Sequence, residues 1–261
     1  MKSNQPIGIF DSGVGGLSVL KHIHHLLPQE KLLYIADSGY APYGCQGDDF
    51  IEQRSRIITE YLIKQGAKVI VIACNTATAS IIEHFRRQYG MPFIGVEPGI
   101  KPAIEISDNG RIGVMATAAT LSSVRYSRLS KRFAEGVYLY HQACPGLADQ
   151  VEAGLLDNSL TRDLLVFYLN ALKQKSVDTI VLGCTHYSFL SRQIRAISGE
   201  KINLVDTSSA VAEQLARILT QERLHTRAQT GSINYYTTGE PERVQASIYQ
   251  LLSTRVQVCA V

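Results

Sequence analysis

Short apolar runs recur along the chain, separated by longer amphipathic stretches: PIGIF, KLLYIAD, AKVIVIAC, PFIGVE, RIGVMAT, GVYLYHQAC, DTIVLGC and INLVDTS. Strand-like runs alternating with helix-like segments indicate βαβ units and mainly parallel sheet, an α/β fold. A helix is predicted from Asp49 to Gln65, with Phe50, Ile51, Ile57, Ile58, Tyr61 and Leu62 on one face and Gly66 at its end. Others are predicted from about Leu160 to Lys175 and from Ala210 to Arg223. No linker or low-complexity stretch separates the halves.

The pattern repeats internally. PIGIFDSGVGGLSV (6–19) aligns with RIGVMATAATLSSV (111–124), setting Ile7, Gly8, Ser12 and Val19 opposite Ile112, Gly113, Thr117 and Val124 at a shift of 105 residues. VIVIACNTA (69–77) aligns with TIVLGCTHY (179–187), setting Cys74 opposite Cys184 at a shift of 110. Two similar shifts predict one half-domain used twice. The expected architecture is two pseudo-symmetric lobes facing each other, each presenting the carboxyl ends of its parallel strands to a cleft that holds the active site. The first lobe is expected to comprise residues 1–96 plus 206–261, the second 97–205.

Composition narrows the function. With 261 residues and 45% hydrophobic content, the chain can bury a sizeable core. The net charge of +3, from 26 basic and 23 acidic residues, is scattered without Lys/Arg runs, so nucleic acid is not an expected partner. No signal-type h-region opens the chain, and no segment approaches the roughly 18 apolar residues of a membrane span, so a soluble cytoplasmic protein without membrane contact is expected. Five cysteines form no CxxC pair, which argues against a disulfide framework and a structural metal. The oligomeric state is not written in the pattern, which is compatible with a homodimer.

Cys74 and Cys184 each end a strand just before a helix. A helix N-terminus lowers a thiol pKa from about 8.5 toward neutrality, so each is expected to be poised as a base. Buried cysteine is commonly a small hydrophobe, but recurrence at matched positions, each followed by Thr or Asn-Thr, argues for chemistry. Of two thiols on opposite walls, one can take a proton from a carbon and the other return it from the far face, which is stereoinversion. Ser12, Asn75, Thr76, Thr117, Thr120 and Thr185 offer hydroxyl and amide groups beside helix N-termini to hold a carboxylate. The same residue types also serve as plain N-caps.

At these residues the chain resembles the glutamate racemases of the aspartate/glutamate racemase superfamily. The matching stretches are GIFDSGVGGLSV, APYG (41–44), ACNTATA (73–79), GVEPGIKPA (95–103), ATAATLS (116–122), ACPGLADQVEAG (143–154) and LGCTHY (182–187), in the family's order over nearly the whole chain. The resemblance implies interconversion of L- and D-glutamate for peptidoglycan synthesis, without pyridoxal phosphate, metal or nucleotide. GCTH, where aspartate racemases commonly show GCTE, favours glutamate over aspartate, the nearest alternative. Carried over by residue, Cys74 is the base toward D-glutamate and Cys184 the base toward L-glutamate. Asp11 assists Cys74, while His186, supported by Glu152, assists Cys184. Substrate contacts fall to Asp11, Ser12, Tyr43, Gly44, Asn75, Thr76, Thr117, Thr120, Thr185 and His186. Cys45-Gln46 after APYG and the polar Gly146 to Gln150 depart from the family and alter the pocket rim. Cys45, Cys144 and Cys259 are assigned to packing or surface. Some members depend on a nucleotide precursor through a longer N-terminal extension; this chain starts six residues before Ile7, so no such dependence is expected.

Other readings compete. Gly13-Val14-Gly15-Gly16 with Asp37 as the ribose acid suggests a dinucleotide site, but Ser18 stands at the third glycine position and Asp11 would face the pyrophosphate. A binding protein of two lobes has no need of paired thiols. A thiol hydrolase would use Cys184 and His186, which at i and i+2 point apart on a helix and meet only in a turn. His22, His24 and His25 resemble a metal cluster but read as a solvated helix face.

Overall fold

A computed structural model describes residues 2–133 and 135–261. The chain runs through β1 (Ile7–Asp11), α1 (Leu17–Leu26), β2 (Lys31–Ala36), α2 (Asp48–Lys64), β3 (Val69–Ile72), α3 (Asn75–Gln88) and β4 (Phe93–Gly95). It continues through α4 (Ile100–Ile106), β5 (Arg111–Ala116), α5 (Ala118–Ser122), α6 (Val124–Phe133), β6 (Tyr138–Ala143), α7 (Leu147–Glu152) and α8 (Ser159–Lys173). The remainder is β7 (Thr179–Gly183), α9 (Ser191–Ser198), β8 (Asn203–Val205), α10 (Ser208–Gln221), β9 (Ser232–Thr237), α11 (Pro241–Leu252) and β10 (Val258–Ala260).

Two sheets result, one ordered β10-β9-β2-β1-β3-β4 and the other β6-β5-β7-β8. Every pairing in both is parallel. The second order repeats β2-β1-β3-β4, and the registers repeat too: Ile7 pairs with Val69 as Ile112 pairs with Thr179. Gly8 and Gly113 occupy matched positions for one reason. A Cβ at Gly8 would stand 3.0 Å from Leu62 of α2, and one at Gly113 would stand 2.9 Å from Leu172 of α8, so each glycine lets a helix lie directly on its sheet. α2 and α8 are accordingly the matched crossover helices.

Both faces of each sheet are covered, as parallel sheets require. On the first, Ile7 and Ile9 pack with α1 and α10, while Phe10 turns to Ile58, Leu62 and Phe85 of α2 and α3. On the second, Leu165, Leu169 and Leu172 of α8 cover one face, and Ile100, Ala103 and Tyr126 of α4 and α6 the other. β9 and β10 extend the first sheet beyond β2 and lie outside the eight runs predicted as strands. β9 is only half-buried and carries Ser232, Asn234 and Thr237 among its apolar residues. β10 buries only Val258 of its three residues.

The face predicted for α2 needs correction. Its buried stripe is Ile51, Arg54, Ser55, Ile58, Thr59 and Leu62, whereas Ile57 is 45% exposed. Helical spacing overrides side-chain type here, because Ile57 sits about 100° round the axis from Ile58. Among the described residues, no helix is long and apolar enough to cross a membrane. The chain passes between the sheets after β4 and again after β8. These crossings touch, since a Cβ on Gly99 would lie 2.5 Å from Val205 and 3.0 Å from Thr207.

Candidate active site

The central strands β1 and β3 of one sheet and β5 and β7 of the other end at a common cleft. Cys74 follows β3 as the N-cap of α3, its Sγ accepting the Ala77 N–H at 3.5 Å and lying 3.7 Å from Ser12 Oγ. Cys184 follows β7 and opens a 3-10 turn, Thr185–Leu190, that runs into α9. The turn unites what a helix would separate, placing His186 Nδ1 3.6 Å from Cys184 Sγ. On the other side of the ring, His186 Nε2 lies 2.5 Å from Glu152 Oε1, and the same oxygen accepts the Val14 N–H at 2.7 Å. Glu152, from α7, thereby ties the imidazole to the turn after β1.

Asp11 ends β1, fully buried. Its Oδ1 accepts the Gly13 N–H at 2.9 Å and the Ser12 hydroxyl at 3.3 Å, and its Oδ2 accepts the Thr185 hydroxyl at 3.0 Å. The glycine turn that suggested a phosphate cradle serves the opposite lobe instead. A Cβ on Gly13 would fall 1.9 Å from Glu152 Oε1, and one on Gly15 would fall 2.4 Å from His186 Nδ1. Asp37 is fully buried and held by Arg54, with no face left for a ribose.

Three hydroxyls join the lobes at a second place. Thr76 Oγ1 lies 2.9 Å from Thr117 and 3.2 Å from Thr120, and the latter two are 2.9 Å apart. Gly44 presses on the same point, since its Cβ would stand 2.7 Å from Thr117 Cγ2. The Asn75 side-chain amide is buried, and among the described residues its Nδ2 has no partner, which leaves a donor with unused hydrogen-bonding capacity in the cleft. Tyr43 is fully buried, with its hydroxyl donating to Asp37. A ligand contact at Tyr43 therefore falls to its main chain.

Burial dominates the electrostatics. It pushes the Cys74 thiol up to about 12, aided by the charge of Asp11, against the pull of the Ala77 N–H and Ser12. The expected shift toward neutrality is thus reversed, because desolvation outweighs the helix terminus. Burial likewise raises the Asp11 carboxyl, opposed by the charge of His186 and the Gly13 N–H. Burial pulls the His186 imidazole down, but hydrogen bonds to Cys184 and Glu152 and the charges of both outweigh it and hold the ring well above its ordinary range. Each sulfur thus has a titratable partner of its own, and the charge of Cys184 is felt at Cys74.

A sequence profile described as Asp/Glu/hydantoin racemase matches residues 7–215. A glutamate racemase of Ectopseudomonas mendocina is 45% identical over 258 residues, 98% of each chain. Among solved structures, a glutamate racemase isoform from Bacillus anthracis superposes with a TM-score of 0.91 at 30% identity, covering 99% of this chain and 98% of that one. The Francisella tularensis glutamate racemase, solved in complex with D-glutamate, gives 0.86 at 28% identity, covering 98% and 97%. The chain belongs to the Asp/Glu/hydantoin racemase family. Its class of chemistry is that of an isomerase, an amino-acid racemase.

In this racemase several groups around the cleft were not singled out from sequence. Tyr34, fully buried in β2, donates its hydroxyl to Gly13 O at 2.7 Å and fixes the glycine turn. A tyrosine inside an apolar strand was a signal, since a buried phenol needs a partner. Ser18 donates to Gly15 O at 2.9 Å and lies 3.4 Å from Thr185 O. Ser247 of α11 donates to the Glu152 carbonyl at 2.9 Å, a contact between residues 95 apart that no local pattern announces. Of the remaining thiols, Cys45 and Cys259 are exposed, while Cys144 is buried in the same apolar cluster as Cys184. His22, His24 and His25 lie exposed on α1.

Proposed function

We propose that the protein interconverts L- and D-glutamate by proton transfer between Cys74 and Cys184, in the cytoplasm, supplying D-glutamate for peptidoglycan synthesis. No pyridoxal phosphate, metal or nucleotide takes part in this scheme. The observation that carries it is the matched pair of thiols after β3 and β7, on opposed lobes, each with a separate acid–base partner.

Toward L-glutamate, the Cys74 thiolate takes the α-proton of D-glutamate, and the Cys184 thiol delivers its proton to the opposite face of the carbanion-like intermediate. The reverse direction exchanges these roles. Burial makes a free Cys74 thiolate costly, and the substrate's ammonium group offsets that cost by placing a positive charge beside it. His186 exchanges its Nδ1 proton with the Cys184 sulfur, and Glu152 stabilises the cationic ring. The Asn75 amide, the Thr76, Thr117, Thr120 and Thr185 hydroxyls, Ser12 and the main-chain N–H groups of Tyr43 and Gly44 bind the two carboxylates. Closed lobes exclude water and strengthen these contacts.

The test is incubation of each enantiomer in heavy water with no added cofactor, following optical rotation and deuterium at the α-carbon. Racemisation with deuterium incorporation is expected from both enantiomers, and an absence of exchange from either overturns the reading. Aspartate run alongside should exchange far more slowly; preferential exchange of aspartate would reassign the substrate.

A further inference from the structure

Asp37 takes no part in the proton transfer, yet the first lobe builds a complete shell around it. It follows β2 directly, and its N–H donates to Asp11 O at 3.0 Å. Arg54 of α2 grips its carboxylate with Nη2 to Oδ1 at 2.8 Å and Nε to Oδ2 at 3.1 Å. Thr238, after β9, donates its hydroxyl to Oδ1 at 2.6 Å, and Tyr43 donates its phenol to Oδ2. The guanidinium also stacks on the Tyr40 ring, 3.6 Å from its centroid. The planar fork of arginine makes this a directional grip rather than a diffuse attraction.

Buried ion pairs bring little net stability after desolvation, so this one is better explained by what it holds in place. The segment it grips, 38–45, reaches across to the second lobe, where Gly44 presses on Thr117. Tyr43 opens a 3-10 turn there, so its first N–H groups have no partner within the turn. Those N–H groups are the proposed ligands of a glutamate carboxylate, so a role for Asp37 in binding rests on the glutamate racemase reading.

We infer that Asp37, clamped by Arg54 and Thr238, is a positioning residue that holds the Tyr43–Gly44 main chain against the substrate through the Tyr43 hydroxyl and thereby sets the KM for glutamate. Thr238 is the telling partner. Its hydroxyl donates to Asp37 and accepts the Gly39 N–H at 3.3 Å, so a valine there removes the polar link to the segment and leaves the main-chain packing on Gly39 in place.

The experiment measures KM and kcat for both enantiomers, melting temperature and the pH profile of kcat in the wild type, Tyr43→Phe, Thr238→Val and Arg54→Lys. In each variant KM should rise about five- to tenfold while kcat stays within about twofold, the pattern of lost uniform binding. Arg54→Lys belongs with the others, because it keeps the charge and loses the fork. The pH profile should not move, since the thiols and His186 are untouched. Variants that melt lower but keep the wild-type KM would overturn the inference and leave the racemase reading intact, as would a loss confined to kcat. A wild type that racemises no glutamate would overturn both. If Arg54→Lys does not fold, the milder Tyr43→Phe and Thr238→Val still decide.

Discussion

Thr185 donates its hydroxyl across the cleft to Asp11 Oδ2 at 3.0 Å, joining the residue after Cys184 to the residue that ends β1. Two proposed substrate ligands thus satisfy each other, and an incoming ligand must replace this bond. Thr185→Val would leave a buried carboxylate oxygen with one donor fewer. KM for glutamate should rise about tenfold, in line with the loss of a hydrogen bond to a charged group. Steady-state kinetics on both enantiomers checks this.

The triad of Cys184, His186 and Glu152 carries a pH signature. Glu152 helps hold the imidazole above its ordinary value of 6.5, so Glu152→Gln should bring the ring's titration down, read by NMR of the His186 side chain. A group whose pKa is raised by folding stabilises the fold below its unfolded value. That contribution disappears as pH rises through the folded value. The wild type's stability margin over Glu152→Gln should therefore be largest below pH 6.5 and shrink above it. Racemisation should fall about tenfold or more.

Gly15→Ala places a methyl group 2.4 Å from His186 Nδ1 and 2.6 Å from Thr185 Oγ1. The lobes can fold but cannot seat, so kcat/KM should drop about a hundredfold, the effect of a misplacement of about 1 Å. Melting temperature should change by only a few degrees, and a collapse in stability would instead show that the glycine supports the core.

Cys74 makes alkaline stability depend on one thiol. Folding raises it from an ordinary 9.0 to about 12, so its neutral form favours the fold, and that contribution is lost as pH climbs through this window. Unfolding free energy of Cys74→Ala should fall less steeply there than that of the wild type, by up to about 1.4 kcal/mol per pH unit. Denaturant titrations between pH 9 and 11 measure the difference. The same variant, like Cys184→Ala, should show no racemisation.

Far from the cleft, Lys68 Nζ meets Glu30 Oε2 at 2.6 Å with both side chains almost wholly buried, and the Lys68 ammonium also donates to Ser3 O at 2.6 Å. Lys68→Met strands a buried carboxylate and should cost about 3–5 kcal/mol in chemical denaturation. KM should not change.

Eight of the ten strands among the described residues were legible as apolar runs, and the inner repeat as duplicated motifs, even where, as in β6, none of the strand is buried. β9 and β10 were not, since Ser232, Asn234 and Thr237 interrupt the apolar run of β9 and β10 buries only Val258. Both cysteines follow from the repeat, while Asp11, His186 and Glu152 follow from the resemblance, and the fold brings all five to one cleft. The reversed shift of Cys74 was not readable, because burial depends on both lobes at once. Arg54 could have been found: it lies three residues after Ile51 and four before Ile58, a cation on an apolar stripe that must have a buried partner.

The contact of Gly99 with Val205 and Thr207 has a mechanical consequence. A lobe hung from one strand could twist freely, whereas one hung from two touching strands behaves like a door on paired pins, turning about a single line. The reach of any opening is then set by its distance from that line. Motion is least beside Gly99 and grows with distance from it.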